Sequence, residues 1–155
     1  MLGVDIGSES VILAAAFNGQ ETLRVYPSLG VGGGASGVFE KSTMEEIKRW
    51  MQIDLPDQVI KNYIYNKAAN PGSLPMLEEH LEIEIALAKQ ALRIASKNII
   101  PSLGRHTGKH ESLLPPIEPI IGSGRILTNA PNLSQVMSIM LDGLQPTGVT
   151  TLALD

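Results

Sequence analysis

Two short glycine-bearing segments near opposite ends of the chain hold the residue types that could do chemistry. The first, Val4-Asp5-Ile6-Gly7-Ser8-Glu9-Ser10, follows a short apolar run and precedes another, Val11 to Phe17. The second, Ile120-Ile121-Gly122-Ser123-Gly124-Arg125, also follows an apolar run and leads toward a helix. Glycine just after a strand lets the backbone turn sharply and leaves N–H groups that can meet phosphate oxygens. An aspartate beside such a turn can hold a hydrated cation. Together the two loops point to half of a nucleotide site. Each also has a plainer reading, Asp5 as a turn cap and the second loop as a tight strand-to-helix turn.

The elements that must position these loops follow from apolar spacing. Residues 2–6, 11–17 and 21–26 read as strands, and Asn18-Gly19 accepts positive φ at both positions of a tight hairpin. Residues 30–37 (Gly-Val-Gly-Gly-Gly-Ala-Ser-Gly) read as loop. Ser42 or Thr43 caps a helix with Glu45 and Glu46 in its first turn and Met44, Ile47, Trp50 and Met51 as core positions. Pro56-Asp57 opens a second helix, to about residue 66, with Val59, Ile60, Tyr63 and Ile64 as its stripe. The longest helix covers residues 76–100, with Leu77, Leu81, Ile85, Ala88, Leu92 and Ala95 recurring every three or four residues. Its acids, Glu78, Glu79, Glu82 and Glu84, read as a solvated face that complements the helix dipole, and Lys89, Arg93 and Lys97 complement it at the other end.

Pro101 stops that helix, and residues 102–116 form a basic, irregular stretch. His106 and His110 lie four apart, a ligand spacing on a helix, but Thr107-Gly108 and the nearby prolines favour a solvated loop. Residues 117–121 read as a strand with Pro119 near its start or on an edge. Asn132 caps a helix through Val136, Ile139, Met140 and Leu144, ended by Pro146. Residues 149–154 read as a last strand. Strands separated by helices imply parallel pairing, and the opening hairpins imply antiparallel pairing. The expected fold class is α/β with a five-stranded mixed sheet.

The 155 residues suffice for one domain with a real core, and 43% hydrophobic content makes the chain globular. A net charge of -4 argues against a nucleic-acid surface, and 4% aromatic residues argue against a base-stacking platform. The absence of cysteine excludes disulfides, thiolate metal sites and cysteine nucleophiles. No apolar run approaches the roughly 20 residues of a membrane span, and no signal-peptide pattern opens the chain. The expectation is a cytoplasmic protein. The final Thr150-Thr151-Leu152-Ala153-Leu154-Asp155 reads as a strand with no tail, as in a piece of a longer polypeptide.

The element order and both loops resemble one half of the actin-like ATPase fold shared by actin, sugar kinases and heat-shock chaperones. A more specific resemblance is to the glutamate mutase L family. It rests on Ile120-Ile121-Gly122-Ser123-Gly124-Arg125-Ile126-Leu127-Thr128-Asn129-Ala130-Pro131, on Met140-Leu141-Asp142-Gly143-Leu144-Gln145-Pro146-Thr147-Gly148-Val149-Thr150-Thr151-Leu152, and on Arg105-His106-Thr107-Gly108. The resemblance implies a three-layer, ribonuclease-H-like half-fold over residues 1–155, whose N-terminal partner half lies elsewhere in the same polypeptide. It implies ATP or ADP with magnesium as ligand. Asp5 would hold the metal through water or orient an attacking water. Gly7 and Ser10 would meet phosphate, Gly32 and Gly33 would lie near the nucleotide, and Gly122, Ser123 and Gly124 would approach adenosine. The implied role is an ATP-dependent accessory or reactivating factor for a cobalamin-dependent mutase, inactive as a half.

The chain departs from the family pattern in two places. The phosphate loop usually reads Asp-x-Gly-Gly, but Ser8 stands at the second glycine and Glu9 adds a negative charge. Ser123 separates the usually adjacent glycines of the adenosine loop. These departures favour an alternative, an interaction domain that has lost nucleotide binding. A small-molecule kinase half has no substrate pattern behind it, and no elbow motif or His–Asp partner supports serine hydrolase chemistry.

Overall fold

Short apolar runs bounded by turn residues set the first two strands, and partial alternation sets the third. In the computed structural model, which describes residues 1–103 and 113–155, β1 is Leu2–Ile6, β2 is Ser10–Phe17 and β3 is Gln20–Pro27. Leu2, Val4, Ile6, Val11, Leu13 and Ala15 all point to one buried face. The β2–β3 turn is Asn18-Gly19, with φ of 51° and 74°. The helices are α1 Ala35–Glu40, α2 Met44–Lys48, α3 Asp57–Ala69 and α4 Glu78–Ile99, followed by a 3-10 turn at Ile100–Leu103. Then come β4 Ile120–Ser123, α5 Arg125–Thr128, α6 Leu133–Leu144 and β5 Leu152–Leu154. The sheet order is β3-β2-β1-β4-β5. β1 pairs antiparallel with β2 and parallel with β4, and β4 pairs parallel with β5.

The five-stranded mixed sheet is thus present, and the described residues supply two of the three implied layers. α4 and α6 cover one face and pack on each other, with Ser96 donating to the Gly143 carbonyl. A side chain at Gly143 would meet Leu92. α4 is buried around most of its circumference from Ile83 to Ser96. On the opposite sheet face Leu23 and Val25 are 64% and 55% exposed, and Ala14, Ala16 and Ala153 are exposed too. Among the described residues no helix is long and apolar enough to cross a membrane.

Several boundaries differ from expectation for local reasons. The run at residues 30–37 is not all loop, because α1 begins at Ala35. Thr43 forms the expected capping box with Glu46, but α2 ends at Lys48, leaving Trp50 and Met51 beyond it. Both still pack against the core. Strand β4 starts only after Pro119, which has no N–H to give the ladder. β5 starts at Leu152 rather than 149. The capped helix at Asn132 forms as expected, with Asn132 Oδ1 accepting from the Gln135 N–H at 3.0 Å. Arg105 to Gly108, His106 and His110 lie outside the described residues.

The acidic face of α4 is where the sequence reading fails most. Glu84 is not solvated but 5% exposed, and Lys89 and Arg93 are buried as well. Lys89 pairs with Asp142 of α6 at 2.9 Å.

A methyl group added at Gly19 would meet nothing within 4 Å, so alanine there would cost only its left-handed backbone. Gly19→Ala should lower stability by about 1 kcal/mol, read as a lower urea midpoint with an unchanged slope.

Candidate nucleotide-binding cleft

Parallel pairing of β1 with β4 brings the two glycine loops side by side. Asp5 is the register partner of Ser123. Ser123 Oγ donates to Asp5 Oδ1 at 2.8 Å, so the two motifs are joined directly. β1 continues by hairpin toward β2 while β4 crosses over to β5, which makes this the point where the strand order reverses. In open α/β sheets such a point, at the carboxyl ends of the strands, is where ligands bind.

A cleft of about 360 Å³ opens there. Its apolar walls include Ile6, Val31, Leu81, Ile85, Ile126 and Ala130. The α3–α4 connection adds Pro71, Leu74 and Pro75. Gln135 also lines the cleft, and its Oε1 is buried with no donor. Of the residues expected at the site, Gly7, Gly32 and Gly124 line the cleft. Asp5, Ser10, Gly33, Gly122 and Ser123 are not among its lining residues. Asp5 and Ser123 alternate with the helix-facing Val4 and Gly122 and so share the opposite face of the sheet end.

The glycines have specific local reasons. Gly124 has φ 104°, and a Cβ there would overlap the Ile6 backbone, so glycine is required for the turn into α5. A Cβ at Gly122 would come within 2.9 Å of Leu127 and of the Met140 sulfur, so glycine lets α5 and α6 settle on β4. The loop at residues 30–34 packs against the β1–β2 turn. Gly32 and Gly34 N–H groups donate to the Ser8 carbonyl at 2.9 and 3.0 Å, and Val31 N–H donates to the Gly7 carbonyl at 3.1 Å. Gly33 N–H faces Ser8 Oγ at 3.3 Å. Side chains at Gly32 and Gly33 would overlap Ser8 and Glu9 respectively.

The sequence reading missed a buried ionic cluster in the wall of the cleft. Lys67 and Glu84 both line it and pair at 2.7 Å, with side chains 6% and 7% exposed. Tyr63 donates its hydroxyl to the same Glu84 oxygen at 2.7 Å. Lys67 also donates to the Ser73 carbonyl at 2.6 Å and so ties down the α3–α4 connection. The imidazole of His80 stacks on Tyr63 at 4.5 Å. Burial first, and then the hydrogen bond to Glu84, push the Tyr63 phenol well above its ordinary value. The signal for Lys67 was present: Ile60, Ile64 and Lys67 continue one helical stripe, and all three are buried.

The residues present fit one part of a nucleotide better than the other. The slot is apolar, as a base requires, with an unpaired amide oxygen on its wall. The phosphate side offers fewer partners. Gly7 N–H closes its own turn on the Ser10 carbonyl at 2.9 Å, and the glycine-loop donors are engaged by Gly7 and Ser8. Among the described residues no three acidic, histidine or cysteine side chains group as a metal site.

The chain is an α/β domain with a cleft at the switch point of its sheet, the place where open sheets of this architecture take ligands. The family described as MutL protein matches residues 3–155, and the chain belongs to that family. No curated protein sequence matches the chain. Among solved structures, the chain is similar to the activator of the 2-hydroxyisocaproyl-CoA dehydratase from Clostridium difficile with bound ADPNP. The identity is 10% and the TM-score 0.44, over 99% of this chain and 53% of that one. It is also similar to component A of the (R)-2-hydroxyglutaryl-CoA dehydratase from Acidaminococcus fermentans. There the identity is 10% and the TM-score 0.41, over 99% of this chain and 54% of that one. The chain spans about half the length of the solved structures it matches.

Two outcomes follow from the buried cluster. Glu84→Ala strands the Lys67 ammonium and should cost about 3–5 kcal/mol, whereas Lys67→Met with Glu84→Leu should cost far less; denaturant unfolding of the two variants compares them. Tyr63 has its pKa raised by folding, so its contribution is complete below the unfolded value of about 10 and is lost as pH rises beyond it. Stability should therefore fall above about pH 10, with a shallower fall in Tyr63→Phe, measured by unfolding at several alkaline pH values.

Proposed function

We propose that this chain is the nucleotide-binding subdomain of a longer cytoplasmic protein, an ATP-dependent accessory or reactivating factor for a cobalamin-dependent mutase. The observation that carries the reading is the cleft of about 360 Å³ at the sheet's switch point, bordered by Gly7 of one turn and Gly124 of the other. In this reading the base and sugar lie against Ile126 and Ala130, with Gln135 Oε1 open to a donor on the base. The backbone at Gly7, Gly32 and Gly124 borders the ligand. Ser10 and Gly33 support the phosphate turn, and Gly122 supports the adenosine turn. Asp5, steadied by Ser123 and outside the cleft lining, would reach magnesium only through bridging water. The N-terminal half of the same polypeptide supplies the opposite wall and the second phosphate loop. Hydrolysis needs positioned groups from both halves, so the chain alone turns over no ATP.

A second reading, an interaction domain without nucleotide, is favoured by the way Ser8 and Glu9 fill the glycine loop. Calorimetry with magnesium-ATP and magnesium-ADP separates the two, on this chain and on the longer protein. Binding at millimolar concentration or tighter is expected. Ala130→Trp should abolish it by filling the slot, and Asp5→Ala should weaken it about tenfold, as the loss of one charge-assisted contact would. Silence in both proteins at millimolar nucleotide leaves the interaction domain.

A further inference from the structure

The middle of α4 carries more positive charge than its surroundings neutralise. Lys89 and Arg93 stand one helical turn apart on the same side of the helix, and both are buried. Arg49, exposed just past α2, reaches the same helix at Gln90, 3.5 Å from its Oε1. Asp142 holds Lys89 at 2.9 Å. Among the described residues no carboxylate pairs with Arg49 or Arg93. Gln90 Oε1 already accepts from Trp50 Nε1 at 2.9 Å. Arg93 is 9% exposed, and its Nη1 is buried with no acceptor. Burial first, and then the charge of Arg49, lower the Arg93 pKa from its ordinary value, yet a guanidinium stays charged in a protein. A buried charge without a partner is costly, and the planar fork of arginine matches two oxygens of one anion.

We propose that Arg93 and Arg49 form a second binding site, for an oxyanion, the carboxylate or phosphate group of a small ligand. Arg93 supplies fixed donors from the helix, and Arg49 supplies a second guanidinium from the solvent side. Lys89 adds to the positive potential while Asp142 keeps it in place. The cluster meets solvent at the exposed Arg49 and at Asp142, whose side chain is 44% exposed. The site is separate from the cleft, whose lining includes none of these residues. Arg93 stands about two turns along α4 from Ile85, a residue of the cleft wall. The proposal does not rest on the nucleotide reading, and either can fail without the other.

Trp50, the only tryptophan of the chain, has the Arg49 guanidinium 4.3 Å from its ring centroid and so reports on the cluster. The test titrates the 155-residue chain with inorganic phosphate and, separately, with acetate, against sodium chloride at matched ionic strength. A saturable change in Trp50 fluorescence in the millimolar range is expected, with a rise in unfolding temperature that chloride does not give. A response to phosphate alone or to acetate alone identifies which group the site takes. Arg93→Met should abolish the response, and in chloride it should unfold no lower than wild type, because an unpaired buried charge is gone. Arg93→Lys, which keeps the charge without the fork, should weaken binding about tenfold, and Arg49→Gln about three- to tenfold. The proposal is overturned if neither anion differs from chloride. It is also overturned if the response survives Arg93→Met unchanged, which would mark an adventitious ion only. Should Arg93→Met fail to fold, unchanged affinity in both Arg93→Lys and Arg49→Gln overturns it equally.

Discussion

The parallel pairing of β1 with β4 is the constraint on which the rest depends. It joins segments far apart in sequence through the Asp5–Ser123 register and the hydroxyl-to-carboxylate bond between them. Long-range parallel pairing carries a loop-closure cost that local contacts do not repay. Burial repays it here: α4 lies between them in sequence and packs with α6 over the sheet, and their apolar side chains join Leu2, Val4 and Ile120 in one core. The cleft is a consequence of that order. Hairpin on one side and crossover on the other leave the ends of β1 and β4 uncovered by either connection.

The cleft's outer wall is held by electrostatics inside an apolar setting. Desolvating an ammonium and a carboxylate is costly unless both are paired and their remaining bonding capacity is met. Lys67 and Glu84 are paired, and each gains a further hydrogen bond, Lys67 to the Ser73 carbonyl and Glu84 from Tyr63. The arrangement fixes where the Asn70–Pro75 connection can lie, because the Ser73 carbonyl is bound to a buried charge. A hydrophobic pair could match its stability, but it would not bind that carbonyl.

Much of the fold was legible because its signals were local. Short apolar runs marked β1 and β2, partial alternation marked β3, Asn18-Gly19 marked the hairpin, and the Thr43 and Asn132 caps marked two helix starts. What was not legible depended on partners distant in sequence. Glu84 sits among acids that a dipole argument places in solvent, and only Lys67 and Tyr63, on another helix, make it a buried residue. α5 is a single turn without a capping side chain, so nothing announces it. The glycine content of residues 30–37 suggests one loop and cannot show that Ala35 already packs in the core.

The glycine loops show why a motif can mark a place without defining its chemistry. Glycine is required wherever another group comes closer than a Cβ permits, and that group can be a phosphate or the protein's own backbone. At Gly124 it is the Ile6 backbone, and at Gly32 it is the Ser8 side chain. At Gly33 it is the Glu9 carboxylate, an anion held by the chain itself. A loop that in other settings would receive an anionic ligand here receives its neighbour, and the neighbour carries a negative charge of its own. The apolar slot beside it has no such internal occupant. The two sides therefore differ physically: the slot is open, and the glycine loop beside it is already filled by Ser8 and Glu9.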